Sequence, residues 1–220
     1  MKRIIFLVSF VLFSTYTIAQ EREAKVLIVT NVGKITVKLY NDTPLHRDNF
    51  LRLAEEHKYD SVMFHRVIKQ FVIQAGEKYA RTDSVNLANQ EKLDYTIPAE
   101  IIFPKYFHKR GQLGAGRLTD ANLNPERASS AIDFYIVTGK HFSEYEINKI
   151  EKEKKITLTP EQREAYMIEG GVQHLDGEYT IFGTVTKGMK TVQKIELSYT
   201  DAYDYPLKDI RIKKMKILNR

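Results

Sequence analysis

Two short apolar runs, Phe64-His65-Arg66-Val67-Ile68 and Phe71-Val72-Ile73-Gln74-Ala75-Gly76, are each punctuated by one polar residue, Arg66 and Gln74. An arginine in such a place has two readings. It sits on the solvent face of an edge strand, or it is a cationic fork beside an apolar pocket, where a fixed positive charge donates hydrogen bonds into a dry site. Other chemistries find less support. Six histidines, at positions 46, 57, 65, 108, 141 and 174, include no H-x-H or H-E-x-x-H pair, so no metal site is expected. No Ser/His/Asp order is assignable. Gly111-Gln112-Leu113-Gly114-Ala115-Gly116 lacks the lysine and the following helix of a phosphate loop, and its glycines instead suit a strand that lets another backbone approach.

The elements that must hold these residues are mostly strands. A β-branched run over 26–30, turn residues Asn31-Val32-Gly33-Lys34 and the alternation of Ile35, Val37 and Leu39 predict an opening hairpin. Thr43-Pro44 then predicts a helix over 45–57 with Phe50, Leu53, Ala54 and His57 on one face. Further strands are expected over 62–68, 71–74, 112–117, 132–138, 180–186 and 207–218. In the last, Ile210 and Ile212 differ in parity from Met215 and Ile217, which predicts a bulge near Lys213 and Lys214. Eight or so strands with two or three helices imply a mainly β fold, a closed antiparallel β-barrel capped by helices. The strand pattern stops over about 141–170, where Ser143-x-x-Glu146 and Thr159-Pro160-x-Gln162 predict a short insertion of two capped helices.

Composition narrows the class. Of the 220 residues 43% are hydrophobic, enough to fill the core of one domain. The 34 basic and 28 acidic side chains leave a formal charge of +6, spread along the chain without the polybasic footprint of a nucleic-acid binder. With no cysteine, disulfides, a thiolate nucleophile and a Cys-based zinc site are excluded. Lys2 and Arg3, the apolar run 4–13 and Thr17-Ile18-Ala19 predict a cleaved signal peptide over 1–19, the alternative being a retained anchor if 14–18 is counted with the apolar run, followed by a mature domain over 20–220 with no stable membrane insertion after cleavage. The expected location is outside the cytoplasm, periplasmic or secreted.

The pattern F-H-R-V-I-x-x-F-V-I-Q-x-G over 64–76 resembles the signature of the cyclophilin family of peptidyl-prolyl cis/trans isomerases. Ile97-Pro98-Ala99-Glu100 and Leu175-Asp176-Gly177 with Phe182-Gly183 resemble two further family segments, and the likeness runs from about Ala24 to Leu218 apart from the helical insertion. It implies an eight-stranded barrel closed by two helices, rotation about X-Pro bonds without metal or cofactor, and proline-containing polypeptides as partners of a monomer. By that resemblance Arg66 donates to the prolyl nitrogen and Gln74 orients it. The resemblance assigns Phe71, Val72, Tyr135 and Leu175 to the slot for the proline ring. Gly116 and Arg117 stand where the family carries Ala-Asn, His174 where eukaryotic members carry tryptophan, and Tyr179 where they carry histidine. These are expected substrate contacts, with weak cyclosporin binding as the consequence of His174. Asp133 replaces a substrate-binding glutamine; an ionised carboxylate only accepts hydrogen bonds, so pairing with Arg66 or Arg117, and a loss of activity, is expected. The alternative function is a non-catalytic groove that binds proline-containing segments as a chaperone or scaffold.

Overall fold

In a computed structural model of the chain, the structure describes residues 22–76, 93 and 95–220. The predicted signal peptide over 1–19 lies outside the described residues.

The chain opens with the expected hairpin. Strand β1 (Lys25–Thr30) pairs antiparallel with β2 (Lys34–Leu39), the turn closed by Thr30 N–H donating to the Gly33 carbonyl. Helix α1 (Pro44–Glu55) follows with proline at its first position. Thr43 does not cap it through its side chain. Glu100, far along the chain, accepts from the backbone N–H groups of Leu45 and His46, both at 3.0 Å, and from His46 Nδ1 at 2.7 Å. A carboxylate on exposed N–H groups at a helix start is favourable. The helix ends two residues early, because His57 has φ +57 and its side chain is 72% exposed instead of joining the apolar face.

Strands β3 (Phe64–Val67), β4 (Val72–Ala75), β6 (Gln112–Ala115), β8 (Phe134–Val137), β9 (Ile181–Lys187) and β10 (Ile212–Asn219) complete one eight-stranded antiparallel sheet in the order β10-β1-β2-β9-β6-β8-β4-β3. The short strands β5 (Thr96–Ile97) and β7 (Ser129–Ser130) form a separate pair. The sheet curls, but a fully closed barrel is too strong a description. Its two ends, β3 and β10, form no ladder and meet through the isolated bridge Met63–Arg211 and the Phe64 N–H bond to Ile210. The expected bulge is present: Val29 pairs with Lys214 and Thr30 with Ile212, so Lys213 is the extra residue.

Inside the curl, Phe50 of α1 meets Phe134 edge-on at 5.4 Å between centroids, and both pack with Tyr59, Phe182 and aliphatic residues of nearly every strand. A short helix α4 (Met189–Glu196), which the residue pattern did not reveal, buries Val192 and Ile195 against the same core. Helices α2 (Glu144–Lys154) and α3 (Pro160–Ile168) stand where two capped helices were expected, each with both bonds of its capping box. They build a second, smaller core of Phe107, Ile147, Leu158, Ala165 and Tyr166. Among the described residues no helix is long and apolar enough to cross a membrane.

Candidate active site

The outer face of the sheet carries the chemistry, and strand register explains why. Arg66 pairs with Gln74 across β3 and β4, Gln74 with Tyr135 across β4 and β8, and Tyr135 with Gly114 across β8 and β6. Residues directly opposite in adjacent strands share a face, so these four form one transverse row. The flanking positions Val67, Ile73, Ile136 and Leu113 point the other way, into the core.

Arg66 reaches this row through an irregularity. Phe64 pairs with Ala75 and Arg66 with Gln74, leaving His65 as an extra residue. Without that bulge Phe64 and Arg66 would share a face; with it, Phe64 is buried in the core while Arg66 turns outward.

Beside the row lies an apolar slot. Val72 and Val137, paired two residues along the strands and so on the same face, join Tyr135 and Val172 in a buried cluster, with Phe71, Leu175 and Tyr179 packed over it. The resulting groove has a volume of about 480 Å³. Arg66 stands at its edge, its guanidinium carbon 5.6 Å from the Phe71 ring centroid, with 44% of its side chain exposed. Its ion-pair partner is Asp204, at 3.9 Å from Nε.

The slot is braced from behind. The Tyr135 ring lies so close to β6 that a Cβ on Gly114 would come within 2.3 Å of it. Tyr179 meets the Tyr135 ring edge-on at 6.0 Å and in turn carries the Arg117 guanidinium 4.5 Å from its own centroid. Burial, then the charges of Tyr179 and Asp176, push the Tyr135 phenol well above its usual value, so it remains a neutral donor. Burial and the neighbouring Arg66 charge bring His65, at the groove wall, down to about 4.

A comparison with protein families meets this geometry. The family described as cyclophilin type peptidyl-prolyl cis-trans isomerase/CLD matches residues 25–217. The chain belongs to this family. A peptidyl-prolyl cis-trans isomerase of Schizosaccharomyces pombe is 31% identical over 190 residues, covering 86% of this chain and 96% of the relative. Two crystal structures of a Cryptosporidium parvum cyclophilin type isomerase share the fold at TM-scores of 0.64 and 0.62 and 22% identity. They cover 90% and 89% of this chain and 99% of theirs, and one was obtained in the presence of the dipeptide Ala-Pro. The activity of this cyclophilin is peptidyl-prolyl cis/trans isomerisation.

Most of the expected cyclophilin residues converge. Arg66, Gln74, Phe71, Val72, Gly116, Arg117, Tyr135, Leu175 and Tyr179 all line the one groove. His174 does not line it but stacks on Phe71, centroids 5.5 Å apart and planes 8° apart, so it supports the slot from outside. Asp133 also stands off. It sits between the two strand-end glycines, where a Cβ on Gly76 would be 2.7 Å from its Oδ1 and one on Gly116 2.8 Å from its Cβ. The expected pairing of Asp133 with Arg66 or Arg117 gives way to Asp204 beside Arg66, while Arg117 bonds the Glu178 backbone carbonyl at 3.0 Å and its carboxylate at 3.4 Å. Sequence reasoning missed His65, Thr119, Tyr203 and Tyr205 on the groove wall, and Asp204. Three tyrosines in Tyr199–Tyr205 were the available signal, since such a density in a loop is unusual unless the rings have a surface to cover.

Proposed function

We propose that Arg66 stabilises the twisted X-Pro amide in the transition state, with the proline ring held over Tyr135, Val72 and Leu175 and with Gln74 steering the guanidinium. The observation that carries this reading is the single row that sets Arg66 and Gln74 beside the apolar cluster on one face of the sheet. The barrier to rotation is about 18–20 kcal/mol, and uncatalysed exchange takes tens to hundreds of seconds. Rotation destroys amide resonance and localises a lone pair on the prolyl nitrogen. A donor aimed there binds the twisted amide more strongly than the planar one, which is the requirement for catalysis.

The substrates are proline-containing segments of unfolded or folding polypeptides, and the protein works as a monomer without metal or cofactor. The Ala-Pro dipeptide used with the related isomerase is consistent with that substrate class. The basic start at Lys2 and Arg3 and the apolar run after it support action on exported proteins, in the periplasm or after secretion.

The test is cis/trans exchange in an X-Pro peptide, followed by exchange NMR or a protease-coupled assay, for the parent beside Arg66→Ala. Loss of one donor to developing charge is expected to lower kcat about 100- to 1,000-fold. An Arg66→Ala variant within threefold of the parent would remove Arg66 from the mechanism. A parent that binds the peptide without accelerating exchange would leave a binding groove only.

A further inference from the structure

Behind the slot runs a buried chain of hydrogen bonds that leaves the groove and ends in the helical pair α2–α3. The Tyr135 hydroxyl lies 2.8 Å from His108 Nε2. Asp176 Oδ1 accepts from the His108 backbone N–H at 2.8 Å and from His108 Nδ1 at 3.0 Å. Asp176 Oδ2 accepts from the Tyr166 hydroxyl, in α3, at 2.5 Å. The His108 and Asp176 side chains are 1% and 2% exposed, and Tyr166 is fully buried.

These bonds fix one another. Asp176 is acceptor-only as a carboxylate, so the imidazole proton sits on Nδ1, leaving Nε2 to accept from the Tyr135 hydroxyl. The orientation of Tyr135 therefore depends on a histidine whose tautomer and tilt depend on Asp176, whose second oxygen is held by Tyr166. The packing is equally direct. A Cβ on Gly171 would fall 2.4 Å from the His108 carbonyl oxygen and 2.5 Å from the Tyr166 ring, so only glycine allows the two to come this close.

We infer that Tyr166 is a positioning residue for the prolyl slot, acting through Asp176 and His108 on Tyr135, and that the α2–α3 pair thereby supports substrate binding without touching substrate. This rests on the reading of the groove given above. Tyr166 also has a structural task in the second core, where Phe107 and Phe142 meet its ring edge-on, each at 5.6 Å. Tyr166→Phe separates the two tasks, because it keeps the ring and removes only the hydroxyl.

The slot holds the proline ring in ground and transition states alike, so its distortion raises KM and leaves kcat almost unchanged. For Tyr166→Phe the expected result is a KM about three- to tenfold higher with kcat within twofold, the scale of one weakened hydrogen bond. In a Tyr135→Phe background, which has already lost the bond to His108, adding Tyr166→Phe should leave KM where it was. The ¹⁵N NMR signals of the His108 ring provide a substrate-free readout and should move in Tyr166→Phe. Unchanged KM and unchanged His108 signals in an active, folded Tyr166→Phe protein would overturn the inference, whatever the melting temperature did. If the parent itself fails to accelerate exchange, the groove assignment falls instead, and the His108 signals still decide whether Tyr166 governs the relay.

Discussion

Gly114→Ala gives the most direct test of where the floor of the slot lies. An added Cβ would meet Tyr135 Cζ at 2.3 Å and its Cε2 and hydroxyl oxygen at 2.5 Å, against an ordinary contact distance that begins at 3.4 Å. The strand backbone is held by pairing on both sides, to β8 and to β9, so the ring must retreat by about 1 Å. Two costs follow. Overpacking in a tightly filled region costs about 1–3 kcal/mol, and stretching the 2.8 Å bond to His108 leaves a buried nitrogen without its donor at about 1–3 kcal/mol. The variant should be about 2–6 kcal/mol less stable in urea unfolding. The slot holds the proline ring in ground and transition states alike, so a floor displaced by about 1 Å should act through KM, and kcat/KM for an X-Pro peptide should fall about 10- to 100-fold at temperatures where the variant is folded. Stability within 0.5 kcal/mol and activity within twofold of the parent would show that Tyr135 does not lie against β6, and the slot would need another floor.

Arg66→Lys should recover little of the activity lost in Arg66→Ala, about tenfold at most, because an ammonium lacks the planar fork; full recovery would mean that charge alone suffices. Acid should destabilise the protein through His65: its pKa falls from 6.5 unfolded to about 4 folded, so its contribution is complete above pH 6.5 and is lost as pH falls through 4. That is up to about 3 kcal/mol, and His46 and His174, also shifted down, add in the same direction. Urea midpoints from pH 7 to 4 should fall less steeply for His65→Gln than for the parent, and equal slopes would exclude His65 as a cause. Leu158→Ala, in the second core, should cost about 2–4 kcal/mol in urea unfolding, whereas Ser143→Ala, which opens one capping box, should cost about 1 kcal/mol. Similar losses for the two would mean that the small core contributes no more than its caps.

The sequence by itself determined whatever is written in short-range pattern. The hairpin, the two capping boxes and the bulge at Lys213 follow from residues within a few positions of each other, where side-chain parity and backbone bonding decide the outcome. The signature over 64–76 likewise identified Arg66, Phe71, Val72 and Gln74, which two paired strands bring to one groove. Other features depended on distance through the fold. Glu100 caps a helix that begins more than fifty residues earlier, Asp204 stands beside Arg66, and Tyr166, Asp176, His108 and Tyr135 join three parts of the chain in one relay. No local preference encodes such a meeting. The bulge at His65, unlike that at Lys213, was not readable from parity, since Phe64 and Val67 fall on opposite faces of a regular strand and either suits the core; only the register with β4 shows that both are buried and which way Arg66 points. Asp133 shows the converse: its residue type suggested an ion pair with an arginine, but its place between two glycines, set by the packing of three strand ends, gives Arg66 a different carboxylate. Residue type and spacing fixed which groups were available; the curl of the sheet and the loops laid across it decided which of them meet.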